Sequence, residues 1–357
     1  MGMLTRDVLE DPVALTRALV DIESVSGDEA EIADQVQHAL VGTGLKVERF
    51  GHTIVARTEL GRPERVVLAG HLDTVPLNDN WPSRTEGGLM HGCGTSDMKS
   101  GTAIALHLAV TEQAPRHDVT YVFYECEEVD SARNGLKILA DKRPELLTDA
   151  SFALLLEPTH GLVEAGCQGT LRVLARTTGR RAHSARSWLG DNAIHKAAPI
   201  LRSLQVYEPR TVVIDGCEFR EGLNAVRIGG GVAGNVIPDE CVVEVNFRFA
   251  PDRSEEQAAA HVREVLAGFE LEIVDSAPGA LPGLDAPAAR EFLAAIGQPP
   301  RAKLGWTDVA RFATLGVPAL NYGPGDPNLA HKQDEHVELD KIVEGADVVR
   351  RWLTAGA

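Results

Sequence analysis

Four short apolar runs, each followed at once by polar residues or glycine, constrain the fold of this 357-residue chain more than any other feature. Runs of this length without alternation are typical of strands buried on both faces, which occur in parallel sheets covered by helices. The runs are Val66–Ala69, Tyr121–Tyr124, Phe152–Leu156 and Pro318–Leu320. The sequence therefore predicts an α/β fold with a mainly parallel sheet flanked by helices.

The residues that follow these runs indicate where a binding site would lie. In open α/β sheets, ligands bind beyond the carboxyl ends of the strands, so we expect the residues at those ends to lie at one edge of the sheet. They are His71 and Asp73 after the first run, Glu127 and Glu128 after the second, Glu157 after the third and Gly323 after the fourth.

Helix signals dominate the first third of the chain, whereas the middle alternates. A capping side chain followed by proline at Asp11–Pro12 predicts a helix start, and a second helix is expected from about residue 27 to residue 42 or 44. From Cys241 to Phe249 apolar residues alternate with polar ones, as in a half-buried antiparallel strand. With helices expected at about 191–206 and 254–268, residues 169–281 are interpreted as an inserted α+β domain. Residues 1–168 and 282–357 then form the other domain.

Composition excludes several classes of protein. Lys and Arg total 35 against 52 Asp and Glu, and a net charge of -17 disfavours a nucleic-acid partner. A hydrophobic content of 44% provides a core and excludes general disorder. No apolar stretch is long enough for a membrane span, and the first residues lack a signal peptide's apolar run. Five scattered cysteines predict free, buried thiols in a cytoplasmic protein.

Each candidate motif admits two interpretations when it is taken by itself. His71 and Asp73 suit a metal-bound imidazole with an orienting carboxylate, or a plain surface pair. Asp97, between glycines and ahead of an apolar helical stretch, suits a carboxylate driven into a site or an ordinary helix cap. The adjacent Glu127 and Glu128 suit a bound cation or a solvated acidic turn.

The motifs are more specific as a set, once Glu157 and His331 are added. Two histidines and several carboxylates at the strand ends of one sheet suit zinc, with cobalt or manganese as substitutes. A mononuclear site needs only about three protein ligands. The surplus favours two metals that share one carboxylate, as in co-catalytic hydrolases.

The segments Gly70–Pro76 and Gly94–Gly101, the Glu127–Glu128 pair and the region of His183 resemble motifs of the dinuclear zinc amidohydrolases and metallopeptidases. The resemblance covers essentially the whole chain and is strongest to the bacterial succinyl-diaminopimelate desuccinylases. It implies a zinc-peptidase-like catalytic domain, with residues 169–281 as a lid and dimerisation domain. It also implies a homodimer formed through that lid.

The same resemblance implies a set of metal ligands. His71 and Glu157 would complete one zinc site, and Glu128 and His331 would complete the other. Asp97 would bridge the two Zn²⁺ ions of each subunit, with a cis peptide bond to the following methionine.

Further site roles are carried over in the same way. Asp73 would orient His71, and Glu127 would act as general base and acid. His183, contributed by the other subunit, would complete the oxyanion hole. The expected substrate contacts are Arg248, Asn235, Thr307 and the backbone of Gly323.

The reaction implied by the resemblance is hydrolysis of N-succinyl-LL-2,6-diaminopimelate to succinate and LL-2,6-diaminopimelate, a step of lysine and meso-diaminopimelate biosynthesis. An anionic acyl-amino-acid substrate suits arginine contacts. Two alternatives stay open from the sequence. One is another N-acyl amino acid deacylase or a dipeptidase of the same family, and the other is a metal-binding protein without catalytic activity.

Overall fold

A computed structural model describes residues 4–354, and the chain divides into two compact units. The first comprises Met1–Ala165, Pro282–Arg301 and Arg311–Ala357, and the second comprises Gly166–Leu281 and Ala302–Ala310. These bounds differ from the expected domains at residues 166–168 and 302–310, which group with the second unit. Thr307 therefore belongs to the second unit, whereas the predicted boundaries place it in the first.

The helices begin and end close to their sequence signals. Asp11 accepts hydrogen bonds from the amides of Val13 and Ala14 at 2.9 and 3.1 Å and so caps the helix that starts at Pro12, as predicted. Two irregular helical segments cover Thr95–Lys99 and Ser184–Leu189. The α-helices are α1 (Arg6–Glu10), α2 (Pro12–Val20), α3 (Ala30–Leu40), α4 (Ser100–Thr111), α5 (Gly135–Lys142), α6 (Glu145–Thr148), α7 (Ala193–Lys196), α8 (Ala198–Gln205), α9 (Glu255–Val265), α10 (Pro287–Ile296), α11 (Val309–Thr314) and α12 (Leu339–Thr354).

The strands form one large sheet and several smaller ones. They are β1 (Lys46–Phe50), β2 (Thr53–Arg57), β3 (Arg65–His71), β4 (Arg84–Glu86), β5 (Leu89–His91), β6 (Asp118–Tyr124), β7 (Phe152–Leu155), β8 (Glu164–Ala165), β9 (Gly169–Thr178), β10 (Ala182–His183), β11 (Thr211–Ile214), β12 (Cys217–Arg220), β13 (Gly222–Gly230), β14 (Val236–Ile237), β15 (Glu240–Phe249), β16 (Glu270–Ala277), β17 (Arg301–Ala302), β18 (Ala319–Asn321) and β19 (His336–Glu338).

The large sheet has eight strands in the order β1-β2-β6-β3-β7-β18-β8-β17. Its central strands β6, β3, β7 and β18 run parallel, so their carboxyl ends meet at one edge. Antiparallel neighbours flank them: β2 lies beside β6, and β8 lies beside β18. The four apolar runs occupy these four parallel strands, and the predicted α/β class is confirmed.

Close packing of α4 against this sheet brings the start of the helix to the strand ends. Almost all of α4 is buried, and so is every residue of β6. A Cβ atom on Gly101 would overlap the carbonyl oxygen of Leu156, so only glycine allows this approach. The segment that carries Asp97 directly precedes α4, and it therefore lies at the edge of the sheet where β3, β6 and β7 end.

The second unit is built on a four-stranded antiparallel sheet in the order β13-β15-β9-β16. Residues of β15 alternate between buried and half-buried from Cys241 to Phe249, as predicted. The buried face packs with residues of α7, α8 and α9, among them Ala193, Ile200 and Val262. The region 191–206 forms two helices, α7 and α8, where one was expected.

All five cysteines are free and buried, in agreement with the sequence prediction. Burial raises the pKa of the Cys93 thiol to about 11, which keeps this thiol protonated at neutral pH. Across residues 4–354, every helix is too short or too polar to cross a lipid bilayer.

Candidate metal centre

His71 ends strand β3 and is completely buried. Its Nδ1 atom lies 3.0 Å from the carbonyl oxygen of Asp73 and 3.4 Å from the Asp73 carboxylate. Its Nε2 atom lies 3.2 Å from Oδ1 of Asp97. One ring nitrogen is thus oriented by Asp73, and the other points to the carboxylate edge of the sheet. A metal-ligating histidine shows this arrangement.

Asp97 lies between the two histidines that the sequence singled out. Its Oδ1 faces His71, and its Oδ2 lies 3.5 Å from Nε2 of His331. The same Nε2 atom lies 2.9 Å from Oε1 of Glu128. The peptide bond after Asp97 is cis, as the resemblance implies.

Two groups of three potential metal ligands share Asp97. One consists of His71, Asp97 and Glu157, and the other of Asp97, Glu128 and His331; in each group the ligand atoms lie within 4.8 Å of one another. His71, Glu127 and Glu128 form a third group by the same distance. Two overlapping sets of imidazole and carboxylate ligands fit two transition-metal ions joined by a shared carboxylate.

The ionisation of these groups shows how strongly they interact. Burial opposes a charged imidazole, but hydrogen bonds to Asp73 and Asp97 raise the pKa of His71 well above its usual range. Hydrogen bonds to Asp97 and Glu128 raise the pKa of His331 to about 10. Burial raises the pKa of Glu128. In the metal-free protein, bound protons therefore reduce the repulsion between the carboxylates, a role that metal ions would take over.

Asp73 has a second function that the sequence did not reveal. It accepts hydrogen bonds from the backbone amides of Glu127 and Glu128 at 3.0 and 3.1 Å, and from the Ser26 hydroxyl at 2.7 Å. Burial would raise the pKa of Asp73, but the hydrogen bond with His71 and these further contacts lower it to about 2. This one ionised carboxylate therefore orients both His71 and the loop that carries Glu127 and Glu128.

Two other buried glutamates also hold the loops of the site, and sequence reasoning gave them no role. Glu335 accepts hydrogen bonds from the amides of Ser96 and Asp97. Burial raises the pKa of Glu335 to about 7. Glu29 accepts from the amide and thiol of Cys126, one residue before Glu127. The only sequence signal for Glu335 was its place four residues after His331.

Glu29 and Cys126 also form, with Glu125, a further group of potential ligands. The thiol lies 3.3 Å from Oε1 of Glu29, and burial raises the pKa of Cys126 to about 12. The Arg133 guanidinium lies beside Gly27 at the same turn. A protonated thiol and a nearby guanidinium disfavour a cation, so this group is structural.

The remaining predicted site residues, except Gly323, lie in the second unit. His183 is exposed at the end of β10, and its Nδ1 accepts a hydrogen bond from the amide of Ala185 at 3.0 Å. Asn235 precedes the paired strand β14, and its carbonyl accepts from the amide of Ser184 at 2.9 Å. The structure therefore brings His183 and Asn235 together.

Arg248 and Thr307 occupy different positions in that unit. Arg248 lies on β15, opposite Gly222 and Thr170 in the neighbouring strands, and burial lowers the pKa of its guanidinium. Thr307 is buried, and its carbonyl oxygen lies 3.7 Å from the Cys167 thiol.

Gly323 follows β18 in the first unit and is buried. Its amide donates to the Thr159 hydroxyl at 3.0 Å, and its carbonyl accepts from the amides of Thr159 and Gly161. Both backbone groups are engaged within the protein. The geometry therefore favours a structural role for Gly323 over the expected substrate contact.

The family model for peptidase family M20/M25/M40 matches residues 67–355. This chain belongs to that family. The match includes every proposed metal ligand, from His71 to His331.

Two relatives of nearly equal length are similar to this chain over almost all of its sequence. A Mycobacterium tuberculosis protein, provisionally named succinyl-diaminopimelate desuccinylase DapE, is 57% identical over 97% of this chain and 99% of its own length. The succinyl-diaminopimelate desuccinylase of Corynebacterium glutamicum is 49% identical over 98% of this chain and 97% of its own. Among solved structures, the Bacillus subtilis YxeP protein, described as a dinuclear metal-binding peptidase from the M20 family, has a TM-score of 0.68. It is 17% identical, with 98% of each chain covered.

Proposed function

We propose that this chain is a cytoplasmic succinyl-diaminopimelate desuccinylase of lysine and diaminopimelate biosynthesis. It hydrolyses N-succinyl-LL-2,6-diaminopimelate to succinate and LL-2,6-diaminopimelate. The sharing of Asp97 by two groups of potential ligands carries the chemical part of the proposal. The names of two relatives at 57% and 49% identity support the choice of substrate.

The residues at the site fit a pair of zinc ions, with cobalt or manganese as substitutes. His71 and Glu157 would hold one ion, Glu128 and His331 the other, and Asp97 both. Mixed nitrogen and oxygen ligands suit these metals. When bound, such a pair supplies Lewis acidity and lowers the pKa of a water molecule.

Glu127 would transfer a proton from the attacking water to the leaving amine. Its amide is fixed by Asp73 at 3.0 Å, and its carboxylate oxygen lies within 4.8 Å of the ligand atoms of His71 and Glu128. From this position it takes a proton from water as the amide carbonyl is attacked. It then returns the proton to the leaving amine.

Recognition of the substrate's carboxylates would depend on Arg248, with Asn235 and Thr307 as further contacts. Arg248 is half-buried, and a partly desolvated guanidinium is a strong, bidentate partner for a carboxylate. A substrate lacking that carboxylate would leave the guanidinium unpaired. We therefore expect discrimination of about 10³-fold or more.

A homodimer formed through the second unit is part of the proposal. Strand β13 lies at one edge of the four-stranded sheet, and Val226 and Ile228 on it are 57% and 49% exposed. An edge strand with exposed apolar side chains is suited to pairing with a second copy. His183 would then serve the site of the other subunit as an oxyanion donor.

A substrate panel tests the activity. Zinc-loaded protein is compared by kcat/KM on succinyl-diaminopimelate, acetylornithine, N-acetyl amino acids and a dipeptide. We expect the succinylated substrate to dominate, and a chelator to abolish its hydrolysis. Chelator-sensitive activity on another substrate would refute the desuccinylase assignment and keep the metal chemistry. Zinc binding without any hydrolysis would refute the desuccinylase assignment and favour a metal-binding protein without catalytic activity.

Mixed dimers test the shared site. Glu127→Gln and His183→Ala are each expected to be nearly inactive as homodimers. If His183 acts on the neighbouring subunit, a mixture refolded together should recover about a quarter of wild-type activity, because half the dimers are hybrids with one complete site. If mass spectrometry demonstrates the hybrids and no activity is recovered, His183 acts in the site of its own subunit.

A further inference from the structure

Glu335 is a buried carboxylate, 1% exposed, that binds the backbone of the segment carrying Asp97. Its Oε1 atom accepts hydrogen bonds from the amides of Ser96 and Asp97 at 2.8 and 3.0 Å. Asp97 has φ −118° and ψ 99°, so the helical segment is interrupted there. Amides at a helix start have no partner within the helix, and Glu335 supplies one for two of them.

The contact belongs to a longer attachment between two segments, residues 92–97 and 325–335. The Ser96 hydroxyl donates to the carbonyl of Asp326 at 2.9 Å, and the amide of Gly92 donates to the carbonyl of Glu335 at 3.1 Å. A Cβ atom on Gly325 would overlap the carbonyl oxygen of Ser96. His331 lies in the second of these segments. The attachment therefore fixes the backbone of Asp97 to the segment that carries His331.

The position of Asp97 matters more than that of any other proposed ligand, because it belongs to both ligand groups. Its two oxygens lie 3.2 and 3.5 Å from the imidazoles of His71 and His331. Metal coordination tolerates errors of only about 0.2 Å in ligand distance. A shift of the Asp97 backbone would therefore disturb both metal positions together.

We propose that Glu335 is a positioning residue for the metal centre, acting through the amides of Ser96 and Asp97. This inference rests on the proposed function, since it presumes that Asp97 holds metal. Among the described residues, Glu335 belongs to none of the groups of potential metal ligands. Loss of its acceptor oxygen leaves two amides of the Asp97 segment without this partner.

Cobalt binding tests the proposal independently of catalysis. Metal-free wild type, Glu335→Gln and Glu335→Met are titrated with Co²⁺ and followed by visible absorption, with circular dichroism as a check of folding. Gln retains an acceptor oxygen and Met has none. We expect Met to weaken Co²⁺ binding about 10–100-fold, as for other residues that orient ligands, and Gln to weaken it less. In the loaded enzyme, kcat should fall while KM changes little.

Asp118→Asn is the matched control. Asp118 is also a buried carboxylate that accepts backbone amides, from Leu60 and Arg62, but it lies at the opposite end of the parallel strands. This variant should lose stability and keep wild-type Co²⁺ affinity. If the folded Glu335 variants also bind Co²⁺ like wild type, Glu335 is merely structural and the proposal is wrong.

Three further outcomes of the titration also decide between the proposals. If Glu335→Met does not fold, Glu335→Gln decides: several-fold weaker Co²⁺ binding supports the role, and unchanged binding overturns it. If wild type binds two Co²⁺ ions but does not hydrolyse the succinylated substrate, the desuccinylase assignment fails while the affinities still decide the role of Glu335. If wild type binds no Co²⁺, both proposals are wrong.

Discussion

The two ends of strand β6 carry buried or partly buried carboxylates with opposite surroundings. At the amino end, Asp118 accepts hydrogen bonds from the Thr58 hydroxyl at 2.7 Å and from the amides of Leu60 and Arg62 at 2.8 and 2.9 Å. Beyond the carboxyl end, Glu128 lies against His331, which also faces Asp97. The first carboxylate accepts three hydrogen bonds from protein donors, whereas the second lies within 4.8 Å of another carboxylate.

This difference separates a structural carboxylate from one in the candidate metal centre. Burying a carboxylate without donors or a counter-ion is strongly unfavourable. Asp118 avoids that cost with protein donors alone. Glu128 and Asp97 depend on protonated imidazoles in the metal-free protein, and a metal pair would remove the same repulsion. Close contacts between carboxylates, more than burial itself, therefore mark the site.

Replacement of Glu127 by Gln should have the largest effect. Gln keeps the side chain's shape but cannot accept a proton, so we expect kcat/KM for the succinylated substrate to fall about 10²–10⁴-fold. Zinc content, measured by atomic absorption, should stay at the wild-type value. Loss of zinc together with activity would instead identify Glu127 as a ligand.

Replacement of Asp73 by Ala should have the next largest effect. The variant loses the orienting partner of His71 and the acceptor for the amides of Glu127 and Glu128. We expect metal affinity to fall about 10–100-fold, measured by competition with a chelator. Ser26→Ala removes only one donor to the same carboxylate and should change affinity much less. Equal losses in the two variants would contradict the orienting role.

Metal binding should release protons in a pH-dependent manner. The pKa of His331 is raised to about 10 in the metal-free protein, so at pH 7 its imidazole is charged, whereas a ligand must be neutral. Affinity should therefore rise with pH up to about 10, by roughly tenfold per unit for each proton released. Calorimetry in buffers of different ionisation enthalpy measures the release. A binding heat independent of buffer would contradict this pKa.

Replacement of Asp118 by Asn should affect stability alone. Burial would raise the pKa of Asp118, but its hydrogen bonds lower it, so the carboxylate stabilises the fold above its unfolded pKa of about 3.9. That contribution is lost as pH falls through the folded pKa. Urea unfolding at neutral pH should show a loss of about 1–3 kcal/mol that shrinks in acid. Unchanged activity per folded molecule would support the contrast between the two ends of β6.

Sequence patterns located the potential metal ligands because most of these residues follow the ends of parallel strands. The apolar runs predicted strands β3, β6, β7 and β18. Because these strands are parallel, the residues that follow them lie at one edge of the sheet. The site residues from His71 to Glu157 can therefore be grouped from the sequence alone. Alternation likewise predicted β15 correctly.

Backbone interactions between distant segments could not be predicted in this way. The bonds from Ser96 and Asp97 to Glu335, and from Glu127 to Asp73, join amides that every residue has, so no residue pattern marks them. The grouping of residues 302–310 with the second unit depends equally on tertiary packing. The engaged backbone of Gly323 is a further case, because a glycine in a sequence does not show whether its amide is free.

The position of β18 between β7 and β8 has a consequence for synthesis of the chain. Leu154 of β7 pairs with Leu320 of β18, and Ala165 of β8 pairs with the same residue from the other side. While the ribosome is still translating the middle of the chain, the large sheet lacks an internal strand, and the exposed edge of β7 must wait for it. The strands of the four-stranded sheet are all complete by Ala277, so that sheet can form first. Nascent chains stalled after Ala277 but before β18 would have apolar strand edges that chaperones recognise.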